Sequence, residues 1–239
     1  MIKPRGFLYF LLLLLISCGT NQPNIHQQSY LVHSLDSHIT PDKEIVALVK
    51  PYSTDLNKIM QEVIGTNAHA MTKAKPEGLL GNFVADLSLN WAKQIDSLPE
   101  VSICLLNHGG LRTSLPQGEI TIGNIYELMP FDNSLVWVKL SSEEMDRLVT
   151  YVRATGGQPV SGIQINADNY QLTQTSNQTS YWVLTSDYLA DGGDQMDFFL
   201  NKERINSGVL LRSIIIEHYR ALTKLNRTGE TQIDNRINL

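Results

Sequence analysis

The apolar run Val101-Ser102-Ile103-Cys104-Leu105-Leu106 passes without a break into Asn107-His108-Gly109-Gly110-Leu111-Arg112. A run so short and so apolar predicts a strand over 101–106. The polar, glycine-containing loop at 107–114 behind it is the kind of place where a rigid scaffold displays functional groups. That scaffold must stand on its core. Cys18 and Cys104 are the two cysteines; Cys18 closes an N-terminal targeting segment, so one thiol remains and no internal disulfide can form. Cys104 itself reads as buried filler rather than a nucleophile, since no histidine stands in a recognisable motif to activate it.

The targeting segment has a basic start (Lys3, Arg5), an apolar run from Phe7 to Ile16, and the ending Leu15-Ile16-Ser17-Cys18. The run is too short to span a bilayer stably, and residues 1–17 read as a signal peptide. The residues before Cys18 resemble the lipobox of bacterial lipoproteins, which implies cleavage before Cys18 and its lipidation. An ordinary signal peptide with a chance cysteine is the alternative. Residues 18–42, rich in Asn, Gln, Ser and His, then form a flexible tether. The expected location is the bacterial cell envelope, on the periplasmic or outer-membrane face, with the lipid as the one membrane contact. Cleavage removes Lys3 and Arg5 and no acid. It leaves 17 basic against 24 acidic side chains, a balance of −7 that argues against a nucleic acid polymer or an anionic lipid surface as partner.

Residues 43–239 are long enough for one sizeable core. Leu80, Phe83, Val84, Leu87 and Trp91 fall on one helical face. Residues 134–140 are β-branched and aromatic and predict a strand. Ser141 and Glu144 have capping-box spacing ahead of the stripe Met145, Leu148, Val149 and Val152, and Gly156-Gly157 ends that helix. Strands are expected at 160–166 and 181–186, an amphipathic helix near 208–224, and a long loop at 187–198. The fold class is α/β, a mixed α+β domain of layered sheets and helices.

Three blocks, in order, resemble the C-terminal, substrate-specificity domain of the 5′-nucleotidase family. They are Leu80-Gly81-Asn82-Phe83-Val84-Ala85-Asp86; Asn107 through Gly109-Gly110-Leu111-Arg112, Gly118-Glu119-Ile120-Thr121 and Pro130-Phe131-Asp132-Asn133; and Asp187-Tyr188-Leu189-Ala190-Asp191-Gly192-Gly193-Asp194. The likeness covers residues 43–239. It implies a slot for a nucleoside or nucleoside monophosphate, in which Phe131 and Tyr188 sandwich the base and Asp194 accepts from the ribose hydroxyls. Arg112 and Asn107 would meet the phosphate side, Asn133 would neighbour the base, and Gly156 would line the pocket with loop backbone. The physics of each role agrees: aromatic faces stack on any base, a carboxylate suits a vicinal diol, and a guanidinium suits phosphate oxygens. Read without the family, Phe131 and Tyr188 are equally core residues, and Gly192-Gly193-Asp194 is a turn. A calcium loop from Asp187, Asp191, Asp194 and Asp197 fits no EF-hand spacing.

The sequence departs from the family twice. Full-length members carry a metallophosphoesterase domain with two metal ions, and the six histidines here (26, 33, 38, 69, 108, 218) stand in none of its motifs. No metal ligand, catalytic residue or cofactor is therefore assigned to this chain; two divalent metals are expected in a partner subunit. In addition, the family arginine three residues before Glu77 is Ala74 here, flanked by Lys73 and Lys75. That weakens phosphate gripping and leaves nucleoside recognition. The function expected is the recognition half of a split 5′-nucleotidase acting in nucleotide breakdown; the alternative is a non-catalytic nucleoside- or nucleotide-binding lipoprotein.

Overall fold

The computed structural model describes residues 39–173 and 179–239. The signal segment, Cys18 and the tether as far as residue 38 lie outside the described residues. By its contacts the chain divides into Met1–Val46 and Ala47–Leu239. In the first unit, Asp42 caps helix α1 (Lys43–Met60), its carboxylate accepting from the N–H groups of Glu44 (2.8 Å) and Ile45 (3.1 Å). In the second unit, the rest of α1 buries no residue, and Leu48, Val49, Tyr52, Leu56 and Ile59 are exposed along it.

Strand β4 (Ser134–Ser141) shows how that second unit is built. Its residues are apolar with almost no polar alternation, so both faces must be covered. Leu135 and Trp137 point into a core shared with α2 (Leu79–Ala92) and α6 (Leu211–Lys224). Val136, Val138 and Leu140 point the other way, onto Met145, Leu148, Val149 and Val152 of α4 (Ser142–Ala154). Cys104 and Leu184 follow the first face and Ile103, Leu105 and Val183 the second. The result is a helix–sheet–helix sandwich.

The central sheet has the order β5-β2-β8-β4-β9. It comprises β5 (Val160–Ser161), β2 (Ile103–Leu105), β8 (Ser180–Ser186), β4 and β9 (Arg204–Leu210). The β2–β8 pair is parallel and the other three pairs are antiparallel. Two smaller sheets flank it: β1 (Val63–Asn67) with β3 (Gly118–Thr121), and β10 (Ile237–Asn238) with β6 (Ile163–Asn166) and β7 (Tyr170–Leu172). The mixed α/β class is as expected.

Several elements differ in detail. Helix α2 buries Leu80, Phe83, Val84 and Leu87 of its predicted stripe, with Trp91 half-buried, and also Gly81, Asn82, Ala85, Ser88, Leu89 and Ala92, because it is enclosed by the sheet and α6 rather than lying on the surface. The strand expected over 160–166 is broken at Gly162 into β5 and β6, which belong to different sheets. Gly162 has φ +80°, and a Cβ there would overlap the Ser102 carbonyl oxygen; a side chain at this corner is excluded. Residues 208–210 end β9 instead of opening a helix, and α6 begins at Leu211 without a side-chain cap. The capping box of α4 is present, with Glu144 Oε2 accepting from the Ser141 N–H at 2.7 Å.

Candidate functional site

Strands β2 and β8 run parallel and end at the same edge of the sheet, and β4, antiparallel to β8, begins there. The three polar segments of the sequence are therefore brought to one edge. Asn107–Arg112 follows β2, Asp187–Asp194 follows β8, and Pro130–Asn133 precedes β4. Between them lies a cleft of about 320 Å³ lined by Asn107, Gly109, Gly110, Arg112, Phe131, Asn133, Tyr188 and Asp194. Clefts outside the carboxyl ends of parallel strands are the common ligand sites of α/β sheets, and this volume suits a small molecule.

Asp194 sits at the centre. Its Oδ2 accepts from Asn107 Nδ2 at 2.6 Å and its Oδ1 from the Tyr188 hydroxyl at 2.9 Å. Its backbone is left-handed (φ 51°, ψ 26°), and the Tyr151 hydroxyl donates to its carbonyl at 2.8 Å. Burial, then Asp194 and Tyr188, raise the Tyr151 phenol above its ordinary range. A carboxylate offers about four acceptor positions, and two are used here, so each oxygen can still receive one donor from the cleft.

Tyr188 is the second residue of the short helix α5 (Asp187–Ala190), capped by Ser186, whose hydroxyl accepts from the Leu189 N–H. Asp187 anchors this turn to β4 by accepting from the N–H (3.1 Å) and hydroxyl (2.8 Å) of Ser134. The ring of Tyr188 lies over Gly193, where a Cβ would stand 2.5 Å from the ring and 2.6 Å from the Tyr188 carbonyl oxygen. Only glycine allows that approach. Phe131 projects from the turn between α3 (Ile122–Leu128) and β4, and the Arg112 guanidinium lies 5.9 Å from its ring centroid. Arg112 Nη1 also donates to the Gly109 carbonyl at 3.2 Å. Phe131 and Tyr188 are each 48 % exposed, whereas core aromatics such as Trp137, Phe198 and Tyr219 are 2 % or less. The two rings are displayed, not packed away.

Of the seven residues singled out from sequence, six line the cleft. The seventh, Gly156, does not: it takes φ +72° after the C-terminus of α4, where its nearest neighbour is the Lys75 side chain. Lys73 Nζ donates to the Leu111 carbonyl at 2.7 Å, and Lys75 Nζ donates to the Thr155 carbonyl. Lys73 thus binds the loop that borders the cleft, Lys75 binds the end of α4, and neither lysine lines the cleft. Burial, with Lys75 and Lys73 adding to it, lowers the His108 imidazole below its ordinary value and keeps it neutral. Asn82 of the first block and Glu77 just before that block do not reach the cleft either. Glu77 accepts from Asn82 Nδ2 (2.6 Å) and the Asp234 N–H (2.9 Å) beside the largely buried Arg236.

The aspartates of the third block have separate partners. Asp187 binds Ser134, Asp191 pairs with Arg204, Asp194 binds Tyr188 and Asn107, and Asp197 pairs with Arg147 at 2.9 Å. They do not converge as a calcium loop would. Among the described residues no three His, Cys, Asp or Glu side chains are grouped so that they could hold a metal ion. Cys104 is fully buried, and burial pushes its thiol well above the usual range. Tyr151, and Arg212, whose Nη1 donates to the Met129 carbonyl at 2.9 Å, stand in none of the three sequence blocks. The available signal was the single cation in Val209-Leu210-Leu211-Arg212-Ser213-Ile214-Ile215-Ile216, which asks for a buried partner.

Residues 57–201 match the family model described as the 5'-nucleotidase C-terminal domain. The trifunctional nucleotide phosphoesterase YfkN of Bacillus subtilis is 26 % identical over 196 residues, which is 69 % of this chain and 13 % of that protein. The NAD 5'-nucleotidase of Haemophilus influenzae is 27 % identical over 120 residues, 45 % of this chain and 18 % of that one. A 5'-nucleotidase precursor from Thermus thermophilus superposes with a TM-score of 0.67 at 22 % identity, covering 83 % of this chain and 43 % of its own. The chain therefore spans less than half the length of these relatives. By the extent of the family match, and with the same fold in the superposed structure, the chain belongs to the family of 5'-nucleotidase C-terminal domains.

Proposed function

We propose that the cleft binds a nucleoside or nucleoside monophosphate, and that the chain is the recognition half of a split 5′-nucleotidase whose metal centre is carried by a metallophosphoesterase subunit. The observation that carries this reading is the meeting of three polar segments, drawn from the second and third sequence blocks, at one sheet edge, with two displayed rings and a carboxylate that keeps free acceptor positions. A base between Phe131 and Tyr188 gains on the order of 1–3 kcal/mol per stack with little base selectivity. Asp194 takes ribose hydroxyls, and Arg112, at the rim, takes the phosphate side. The exposed apolar face of α1 supports a partner subunit, since a stripe of that kind is unusual on a solitary surface.

Calorimetry with adenosine and its monophosphate tests the site. Binding is expected to weaken by about tenfold in Phe131→Ala and in Tyr188→Ala, and unchanged affinity in both removes the assignment. Mixing the chain with a purified metallophosphoesterase lacking this domain tests the split enzyme. Metal-dependent phosphate release from nucleoside monophosphates should exceed that of the phosphoesterase alone, and no gain refutes the partnership. A second reading, a nucleoside- or nucleotide-binding lipoprotein without catalysis, is favoured by one observation: Lys73 and Lys75 are spent on loop carbonyls rather than on the cleft. We also propose lipidation at Cys18 and residence on the cell envelope; retention of Cys18→Ser in the membrane fraction would argue against it.

A further inference from the structure

We propose that Arg212, which does not line the cleft, is a positioning residue that sets the base-stacking ring of Phe131. The inference rests on the nucleoside reading of the cleft. Arg212 is the second residue of α6 and is 8 % exposed, an unusual place for an arginine unless every donor is used. Its Nη1 donates to the Met129 carbonyl at 2.9 Å and to the Phe131 carbonyl at 3.4 Å, and its Nη2 pairs with the Asp132 carboxylate. Its guanidinium carbon lies 4.2 Å from the ring centroid of Tyr126, in the helix that leads into the turn. One residue earlier, the Leu211 N–H donates to the Asn133 carbonyl at 2.9 Å. The start of α6 therefore grips four of the five positions from 129 to 133, all but Pro130, around a ring that is half exposed.

The planar fork explains why arginine stands here. A lysine supplies one point charge, whereas the guanidinium bridges two carbonyls and a carboxylate while stacking on an aromatic face. Asp132 is the exposed member of the pair, its side chain 76 % accessible against 10 % for Arg212. The ion pair alone is therefore a minor contribution, and the carbonyl bonds are what define the turn. Residues of the sequence motifs supply the ring; a residue about 80 positions away supplies its direction.

A double-mutant cycle in adenosine binding tests this, because residues that act through one another are non-additive. Phe131→Ala is expected to weaken binding about tenfold and Arg212→Met about fivefold, with the double variant no weaker than Phe131→Ala alone. Arg212→Lys should fall between wild type and Arg212→Met, and it carries the cycle if Arg212→Met does not fold. Hydrogen exchange in the free protein gives a second readout: faster exchange over 129–133 with 187–195 unchanged. Additive losses in the cycle, or unchanged exchange over 129–133, overturn the role of Arg212 and leave the cleft assignment standing. If Phe131→Ala binds adenosine normally, the cleft assignment itself falls, and the role of Arg212 with it.

Discussion

Asp194→Asn separates the two things Asp194 can be doing. As a turn residue, it holds a left-handed backbone (φ 51°, ψ 26°) after Gly193, and asparagine tolerates that region as well as aspartate. As a ligand for ribose, it contributes a charged acceptor whose two oxygens already receive Asn107 at 2.6 Å and Tyr188 at 2.9 Å. The remaining acceptor position on each oxygen matches one hydroxyl of a vicinal diol. Hydrogen bonds to charged groups contribute about 1.5–3 kcal/mol; Asp194 is exposed, so we take about 1 kcal/mol per hydroxyl after solvent screening. Two such bonds amount to about a 30-fold gain in affinity, and losing one amounts to about fivefold. The wild-type protein should therefore bind adenosine about fivefold more tightly than 2′-deoxyadenosine. In Asp194→Asn the amide group replaces one acceptor by a donor, so adenosine binding should fall about tenfold and the ratio of the two ligands should approach one. Calorimetry with both nucleosides reads this directly, and a circular-dichroism melt confirms that the variant is folded. Wild-type affinity and an unchanged ratio in the folded variant would show that Asp194 serves the turn alone.

Two further outcomes follow from other parts of the molecule. Gly193→Ala places a methyl group 2.5 Å from the Tyr188 ring and 2.6 Å from its carbonyl oxygen; the ring can swing away but the carbonyl cannot. A destabilisation of about 1–3 kcal/mol is expected, together with weaker adenosine binding, and an unchanged melt with unchanged affinity refutes the geometry. Glu144 is held at a pKa of about 2, below its ordinary 4.5, chiefly by the Lys202 ammonium and then by the Ser141 hydroxyl and N–H. A carboxyl depressed in the folded state stabilises the protein fully above the ordinary value and loses that contribution as pH falls through the folded one. Urea midpoints should therefore decline between about pH 4.5 and 2 less steeply in Glu144→Gln than in the wild type, and parallel curves would disprove the assignment.

The parts of this fold that were legible in the sequence are those whose signal is local. Strand β4 could be read because its apolar run is longer than a half-buried strand needs, and α4 because Ser141 and Glu144 announce its start within four residues. The break between β5 and β6 was not readable. Gly162 sits among apolar residues that continue the strand pattern on both sides, and only the distant Ser102 carbonyl excludes a side chain there. The start of the last helix is not marked in sequence, because Val209, Leu210 and Leu211 are apolar at either period, and the pairing of β9 with β4 decides the first part for strand. The site divides in the same way. Asn107, Arg112, Phe131, Asn133, Tyr188 and Asp194 stand in motifs, and the sheet brings them together. Gly156 stands beside a lysine at a helix end, because the resemblance fixes its place in sequence but not which loop reaches the cleft.

What makes these six residues a site is the set of partners that no motif contains. Tyr151 holds the carbonyl of Asp194 from α4, Asp187 ties the Tyr188 turn to Ser134 of β4, and Arg212 holds the Phe131 turn from α6. The two rings and the carboxylate of the cleft are thus braced from three different elements. Such bracing lowers the ordering cost of binding, which for mobile side chains runs to about 0.5–1.5 kcal/mol each. It also predicts where affinity is lost. Substitutions at Tyr151 or Arg212 should act like milder versions of those at Asp194 or Phe131, and should vanish when the braced residue is already gone. A cleft whose rings and carboxylate were merely displayed by loops would show no such dependence.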